Sequence, residues 1–130
     1  IVIYQTSDLH GYIYPTNYVN DQPLGFLKIA SYILNDEKNY DASLKIDCGD
    51  LVQGSALTHF LSKQAIDENP IIKGLEAINY NAYVLGNHEF NYGLKYLKDA
   101  YDEISDKVIN ANIKGLPFNT KPYLILMVLK

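Results

Sequence analysis

Arginine is absent from this 130-residue sequence, and cysteine occurs only once. The single cysteine excludes an internal disulfide framework. Eleven lysines and a net charge of −4 leave the chain without the basic face that binding to a nucleic-acid backbone requires. Without arginine, no bidentate guanidinium contact can hold a phosphate. If this protein handles phosphate, another positive group must neutralise the anion.

Long apolar runs are also absent. The longest, Tyr123 to Leu129, is too short to span a bilayer. The sequence opens on the strand-like Ile1 to Tyr4 rather than on an export signal, which leaves the compartment open because such a signal can be removed. Low-complexity tracts and blocks of like charge are missing, and hydrophobic residues make up 48% of the chain. These features exclude a disordered chain and predict one domain with a sizeable core.

The hydrophobic pattern predicts strands and helices in alternation. Predicted strands cover Ile1 to Thr6, Ser43 to Asp47, Ala82 to Leu85, Lys107 to Ala111 and Tyr123 to Leu129. Predicted helices cover Gly25 to Lys38, Leu57 to Gln64, Pro70 to Asn79 and about Leu94 to Ile104. The third helix has a proline at its first position, and the fourth has two Lys–Asp pairs four residues apart. The alternation predicts an α/β fold with a largely parallel sheet.

Polar side chains follow three of these predicted strands, at the point where each strand ends. The stretch "TSDLHG" places Asp8 and His10 after the first strand, and "IDCGDLVQGS" places Asp50 after the second. The stretch "GNHEFNYG" places Asn87 and His88 after the third. In open α/β sheets, ligands bind outside the carboxyl ends of the strands. Residues two apart in an extended segment point the same way, so Asp8 and His10 can face one cation.

Carboxylate, imidazole and amide groups together suit a divalent cation such as zinc, manganese, iron or magnesium. Two such cations about 3.5–4 Å apart could share one carboxylate and lower the pKa of a bridging water toward neutrality. They would also supply the positive charge that the missing arginines do not. The sequence therefore predicts a divalent metal site at this edge of the sheet.

The three stretches "SDLHG", "GDLVQGS" and "GNHEFNYG", in this order and spacing, resemble the motifs of the calcineurin-like metallophosphoesterase superfamily. The resemblance is to its nucleotidase branch of 5′-nucleotidases and 2′,3′-cyclic-nucleotide 2′-phosphodiesterase/3′-nucleotidases. It implies that residues 1–130 are the N-terminal part of a metallophosphoesterase catalytic domain. That domain is a four-layer α-β-β-α sandwich, here truncated at its C-terminus. The resemblance also implies that the parent enzyme hydrolyses nucleotide phosphate esters, and it suggests an extracellular, periplasmic or cell-wall location.

The resemblance implies a role for each of the candidate ligands. Asp8 and His10 would bind the first metal, and Asp50 would bridge both metals. Asn87 would bind the second metal through its amide oxygen and would lie against the substrate. The expected cofactors of the intact enzyme are two divalent ions, chosen from zinc, manganese, iron, cobalt and magnesium.

The same resemblance implies that His88 is catalytic. Its imidazole would lie over the reacting phosphate and stabilise charge on the phosphoryl or leaving oxygen. Where family members often have an aspartate that orients this ring, the present sequence has Asn91. We expect the Asn91 amide oxygen to accept the ring N–H, with less stabilisation of an imidazolium than a carboxylate gives.

The family completes both metal sites with histidines from later segments, including a Gly-His-x-His motif. The present sequence has three histidines, at positions 10, 59 and 88. The first metal would keep three protein ligands, and the second would keep only Asp50 and Asn87. We therefore expect a fragment that lacks the nucleotide-specificity domain, binds at most one metal weakly, and is weakly active or inactive alone.

Other polar residues have open or structural interpretations. Gln53 either binds phosphate or closes its loop, and Glu89 either supports the site or is a surface carboxylate, the latter being slightly favoured. His59 is expected to pack beside Phe60 on a helix, and Cys48 to be a small buried hydrophobic residue. Of the twelve tyrosines, only Tyr14 and Tyr18 in the first loop are candidates for stacking on a base.

Three functional hypotheses follow. The first is a metal-dependent phosphoesterase that acts on nucleotides. The second is a non-catalytic module that binds a metal or a nucleotide, and the third is a structural α/β domain whose polar strand ends are only caps. For the uncharged run from Tyr123 to Leu129, we predict self-association through an exposed strand edge, or partial disorder.

Overall fold

The computed structural model of this protein describes residues 1–15 and 24–127. Four strands, named β1 to β4, cover Val2–Thr6, Ser43–Asp47, Ala82–Val84 and Val108–Ile109. Four helices, named α1 to α4, cover Phe26–Asp36, Ala56–Leu61, Pro70–Glu76 and Gly93–Tyr101. Short 3₁₀ turns cover Glu37–Asn39, His88–Phe90 and Asp102–Lys107. Helix α1 follows β1, helices α2 and α3 follow β2, and α4 separates β3 from β4.

The four strands run parallel in one sheet, in the order β1-β2-β3-β4. Thr6 lies beside Asp47, and Asp47 lies beside Tyr83. The carboxyl ends of the first three strands are therefore neighbours at one edge of the sheet. This arrangement confirms the predicted α/β fold with a parallel sheet.

The two faces of the sheet differ in their exposure. Lys45 and Asp47 of β2 and Tyr83 of β3 are buried on one face, whereas Ile3 is 62% exposed and Val84 37% exposed on the other. Consecutive parallel strands joined by right-handed crossovers carry their helices on the same side of the sheet. The core accordingly lies between the helices and the buried face.

Local signals placed the start of α3 well. Pro70 is its first residue, and the Asn69 side chain caps it by accepting the N–H of Ile71 at 3.0 Å. The helix ends at Glu76, earlier than predicted, and the chain turns at Asn79, whose φ is 61°. Both predicted Lys–Asp pairs form on α4.

The prediction of a fifth strand is wrong for residues 123–127, which form no strand in the described part of the chain. A single parallel bridge joins Ile109 to Lys121, and Pro122 then follows without an N–H to continue a ladder. Strand propensity depends on a surface to pack against, and Ile125 and Met127 are 83% and 85% exposed. The last two residues of the predicted strand, 128–129, lie outside the described residues, and the predicted self-association stays a prediction.

No helix in the described ranges is long and apolar enough to cross a membrane. The longest, α1, has 11 residues.

Candidate functional site

The loops that follow β1 and β2 are joined by backbone hydrogen bonds. Asp8 donates its N–H to the carbonyl of Gly49, and His10 donates its N–H to the carbonyl of Asp50, both at 2.9 Å. One ligand atom from each of Asp8, His10 and Asp50 lies within 4.8 Å of the others. The structure therefore brings together three of the four residues predicted as metal ligands, in a group that could hold a metal ion.

The backbone that presents these three side chains is left-handed. Asp8, His10 and Asp50 have φ values of 55°, 47° and 56°. The expectation that Asp8 and His10 converge through an extended segment is therefore wrong, because the backbone at both residues is left-handed instead. Such conformations are uncommon for residues other than glycine, although Asp and His adopt them more readily than most. Strain of this kind persists only where the surrounding contacts fix it.

His10 is oriented by its own loop. Its Nδ1 lies 2.6 Å from the backbone carbonyl of Gln53, so Nδ1–H donates there and Nε2 is left to face a cation. Nε2 lies 4.0 Å from Asp8 Oδ1. At Gly54, a Cβ atom would lie 2.7 Å from that of His10, so a larger residue would displace the ring. Gln53 thus closes the loop through its carbonyl, which agrees with one of its two predicted roles.

Asp50 connects this group to the loop after β3. Its Oδ1 accepts the backbone N–H of His88 at 2.8 Å. A Cβ atom at Gly86 would collide with the same oxygen, so the two loops approach too closely for any other residue there. Asn87 lies between these two contacts, with an exposed side chain at the start of the 3₁₀ turn. The fourth predicted ligand is therefore at the same edge of the sheet.

The ring of His88 lies beside the group formed by Asp8, His10 and Asp50, and it contacts Asn91. The rings of His10 and His88 lie 5.2 Å apart between centroids, at 73° to each other. The amide nitrogen of Asn91 lies 2.9 Å from His88 Nδ1. Because an amide nitrogen only donates, Nδ1 accepts, and the proton of the neutral ring is on Nε2. The predicted contact forms, but with the roles of donor and acceptor reversed.

Glu89 is buried, so the favoured prediction of a surface carboxylate is wrong. The residue is 1% exposed. One oxygen, Oε2, accepts the N–H groups of Asp50 and Gly86 at 2.8 and 2.7 Å. The other, Oε1, accepts those of Leu51 and Val52 at 2.6 and 3.3 Å. Its position directly after His88 was the only signal in the sequence, because a charged residue in a polar loop is normally exposed.

Asp47, the last residue of β2, was not singled out from the sequence. It is 1% exposed, and its carboxylate accepts Thr6 Oγ1–H at 2.7 Å and Gly49 N–H at 3.0 Å. Burial raises the pKa of Asp47 to about 6, against the opposing effect of these two hydrogen bonds. The residue fixes the start of the loop that carries Asp50.

Three other candidates from the sequence, His59, Cys48 and Tyr14, lie in the described residues. His59 lies exposed on α2, a helix as predicted, and its ring contacts Tyr92 at 6.2 Å between centroids. Cys48 is half-buried rather than fully buried. Tyr14 is exposed, and Tyr18 lies outside the described residues.

A cleft of about 470 Å³ opens beside the group formed by Asp8, His10 and Asp50. Asp8 and His10 line it together with Lys28 and Ile29 of α1. The cleft therefore combines apolar surface with one positive charge next to two candidate ligands.

Comparisons with known proteins agree with the fold. The family described as "Calcineurin-like phosphoesterase" matches residues 1–126. A 2′,3′-cyclic-nucleotide 2′-phosphodiesterase/3′-nucleotidase of Haemophilus influenzae is 38% identical over 85% of this chain, which spans 18% of that protein's length.

Two solved structures resemble the chain closely. The calcineurin-like phosphoesterase YfkN of Bacillus subtilis superposes with a TM-score of 0.75 and 32% identity, covering 84% of this chain and 36% of that one. The NAD nucleotidase NadN of Haemophilus influenzae gives a TM-score of 0.74 and 26% identity, covering 97% of this chain and 24% of that one. These matches confirm the predicted fold class. The chain belongs to the calcineurin-like phosphoesterase family.

Proposed function

We propose that this protein hydrolyses phosphate esters of nucleotides with the help of divalent cations bound at the edge of its sheet. The observation that carries the proposal is the convergence of Asp8, His10 and Asp50, whose ligand atoms lie within 4.8 Å of one another. Family membership supplies the reaction class, and the names of the relatives supply the nucleotide.

The donor set suits a divalent cation. Two carboxylates and an imidazole are ligands that zinc and manganese accept, and the contact of Nδ1 with Gln53 leaves His10 Nε2 available. We assign Asp8 and His10 to one cation, Asp50 to a position shared by two, and Asn87 to the second. Bound there, the cations would supply positive charge and activate water for attack on phosphorus. This charge takes the place of arginine, which the sequence lacks.

His88 is the proposed catalytic residue. Because its Nδ1 accepts from Asn91, the neutral ring presents Nε2–H as a donor. That proton can stabilise negative charge on a phosphoryl or leaving oxygen. Asn91 holds the ring in this orientation.

The proposed substrates are nucleoside phosphates, including 2′,3′-cyclic, 3′ and 5′ esters. The test is release of phosphate or opening of the cyclic ester by the purified protein, with manganese, zinc, cobalt or magnesium, and with a chelator as the control. Because the sequence predicts an incomplete set of metal ligands, we expect at most weak turnover by these 130 residues, which depends on the metal and is lost in Asp8→Ala combined with His10→Ala. An absence of turnover with every metal would refute the proposal for this chain.

A second candidate function is metal or nucleotide binding without turnover. The small number of candidate metal ligands favours it. Of the three histidines in the sequence, two lie at the site, His10 and His88. Calorimetry would then show one weak cation site, abolished by Asp8→Ala with His10→Ala, and no hydrolysis under any condition.

An extracytoplasmic location is also proposed. Relatives include a snake venom 5′-nucleotidase, 26% identical to this chain, and a cell wall protein of Listeria monocytogenes, 29% identical over 59% of the chain. Fractionation of the source cells tests this, since recovery of the protein only from the cytosol would contradict it.

A further inference from the structure

We propose that Glu89 is a positioning residue, whose carboxylate locks the loops after β2 and β3 together and thereby sets the position of Asp50 relative to His88. This inference rests on the proposed function in one respect, because it takes the Asp50 group as the cation site. The locking of the two loops is a separate claim that can be measured without metal.

The contacts of Glu89 come from both loops. Oε2 accepts one N–H from each, that of Asp50 at 2.8 Å and that of Gly86 at 2.7 Å. Oε1 accepts Leu51 N–H at 2.6 Å and Val52 N–H at 3.3 Å. A single side chain therefore fixes three successive peptides of one loop and one peptide of the other.

The link is reciprocal. Asp50 belongs to the loop after β2, and its Oδ1 accepts the N–H of His88, which belongs to the loop after β3. Glu89, the residue after His88, in turn accepts the backbone N–H of Asp50. Two carboxylates on adjacent loops thus each hold the backbone of the other loop. A displacement of either loop would move both the proposed shared ligand and the proposed catalytic ring.

The loop that Glu89 holds is under strain. Asp50 has a φ of 56°, in the left-handed region. The hydrogen bonds to the N–H groups of Asp50 and Leu51 lie on either side of that residue's Cα atom, so they fix its conformation directly. Leu51 and Val52 are fully buried and anchor the same turn in the core.

A carboxylate is needed at this position. Burial of a charged side chain is costly unless hydrogen bonds compensate it, and at Glu89 the compensating groups are backbone N–H donors, with Tyr101 O–H at 3.4 Å as a further contact. Both oxygens of Glu89 act as acceptors. Glutamine would turn an NH₂ group toward one pair of N–H donors and would leave that pair without an acceptor.

The test compares Glu89→Gln with Glu76→Gln in the full chain. Glu76 is a matched control, because it is a half-buried carboxylate that accepts from Tyr83 O–H at 2.7 Å and from Lys107 Nζ at 2.6 Å, away from both loops. Manganese affinity is measured by calorimetry. Amide hydrogen exchange is followed by NMR in the metal-free protein, relative to the slowest core amides of each variant.

Glu89→Gln is expected to weaken manganese binding about 10- to 100-fold, the usual effect of losing a group that orients a metal ligand. It is also expected to speed exchange at Asp50, Gly86 and His88 relative to the core. Glu76→Gln should change neither measurement beyond error. Unchanged loop exchange in Glu89→Gln would overturn the inference, as would unchanged manganese affinity in a chain whose wild type binds the ion.

Failure of the proposed function would look different. If the wild-type chain binds no manganese, the cation site is refuted, and the exchange measurement alone decides the role of Glu89. If Glu89→Gln does not fold, exchange in the wild-type chain tests the inference. The four backbone N–H groups that donate to Glu89 must then exchange as slowly as the core amides. Exchange of those amides at the rate of the exposed residues 112–115 would overturn the inference.

Discussion

His88 donates its backbone N–H to Asp50 Oδ1 at 2.8 Å. The residue proposed to be shared by two cations therefore also holds the peptide that carries the proposed catalytic ring. This contact would couple the two proposed roles, because a shift of Asp50 would also move the backbone of His88.

Gly86→Ala should disrupt that contact. The added methyl group would collide with Asp50 Oδ1 and press on the Asp50 backbone, so we expect a loss of about 1–3 kcal/mol in the free energy of unfolding, as for other overpacked sites. Urea denaturation measures this loss. Gly74→Ala, within α3, is the control. Its added methyl would lie 3.5 Å from the Phe26 side chain, which is an ordinary contact distance. Equal stability of Gly86→Ala and the wild type would contradict the close approach of the two loops.

Asp47 gives the metal-free protein a pH dependence of stability. Its pKa is raised to about 6 by burial, so the folded state holds the proton more tightly than the unfolded state does. Stability is therefore lost as the pH rises from about 4 through about 6, by roughly 3 kcal/mol at about 1.4 kcal/mol for each pH unit of the shift.

Asp47→Asn should remove this loss, because an amide can still accept from Gly49 and can donate to Thr6 Oγ1. Its stability relative to the wild type should therefore increase between about pH 4 and pH 7. The measurement is urea unfolding at a series of pH values in the presence of a chelator. A difference between variant and wild type that does not change with pH would argue against the buried carboxylic acid.

His88→Ala should reduce turnover by about 10²–10³-fold, the typical effect of losing one donor to a developing negative charge. Metal affinity should persist, because the backbone N–H that Asp50 accepts remains in the variant. Steady-state kinetics and calorimetry measure the two quantities. His59→Ala is the matched control, since that ring lies on α2 against Tyr92, and it should behave as the wild type. Loss of metal affinity with normal turnover per bound metal would contradict the proposed catalytic role of His88, and would indicate that it binds the metal instead.

Ile125→Lys should reduce self-association of this chain. Ile125 is 83% exposed in an uncharged segment, and a lysine is a common means of blocking strand pairing at an exposed edge. Sedimentation velocity over a range of protein concentrations measures the effect. Tyr32→Lys, at another exposed apolar residue on α1, should leave association unchanged. A wild type that stays monomeric throughout would show that the segment does not pair.

The sequence predicted the parallel sheet and the edge at which the site lies. Strand β2 has the predicted bounds, Ser43–Asp47, and Pro70 begins α3, because local signals determine both. The convergence of Asp8, His10 and Asp50 followed from a general property of parallel sheets rather than from any contact between these residues.

Features that depend on tertiary packing were not predictable in the same way. Glu89 resembles a surface residue until the peptides of the neighbouring loop surround it. The left-handed backbone at Asp8 and His10 depends on hydrogen bonds to a loop about 40 residues away in sequence. The strand predicted at Tyr123 had the right composition but, in residues 123–127, no surface that buries it.

The central claim is that Asp8, His10 and Asp50 hold a divalent cation in common. Anomalous diffraction from crystals of this protein grown with manganese tests it most directly, because the method locates the ion without reference to activity. The account predicts an anomalous peak within about 2.0–2.6 Å of His10 Nε2 and of an oxygen of both Asp8 and Asp50. A well-ordered structure in which these three side chains are in place, and manganese binds elsewhere or not at all, would contradict the account.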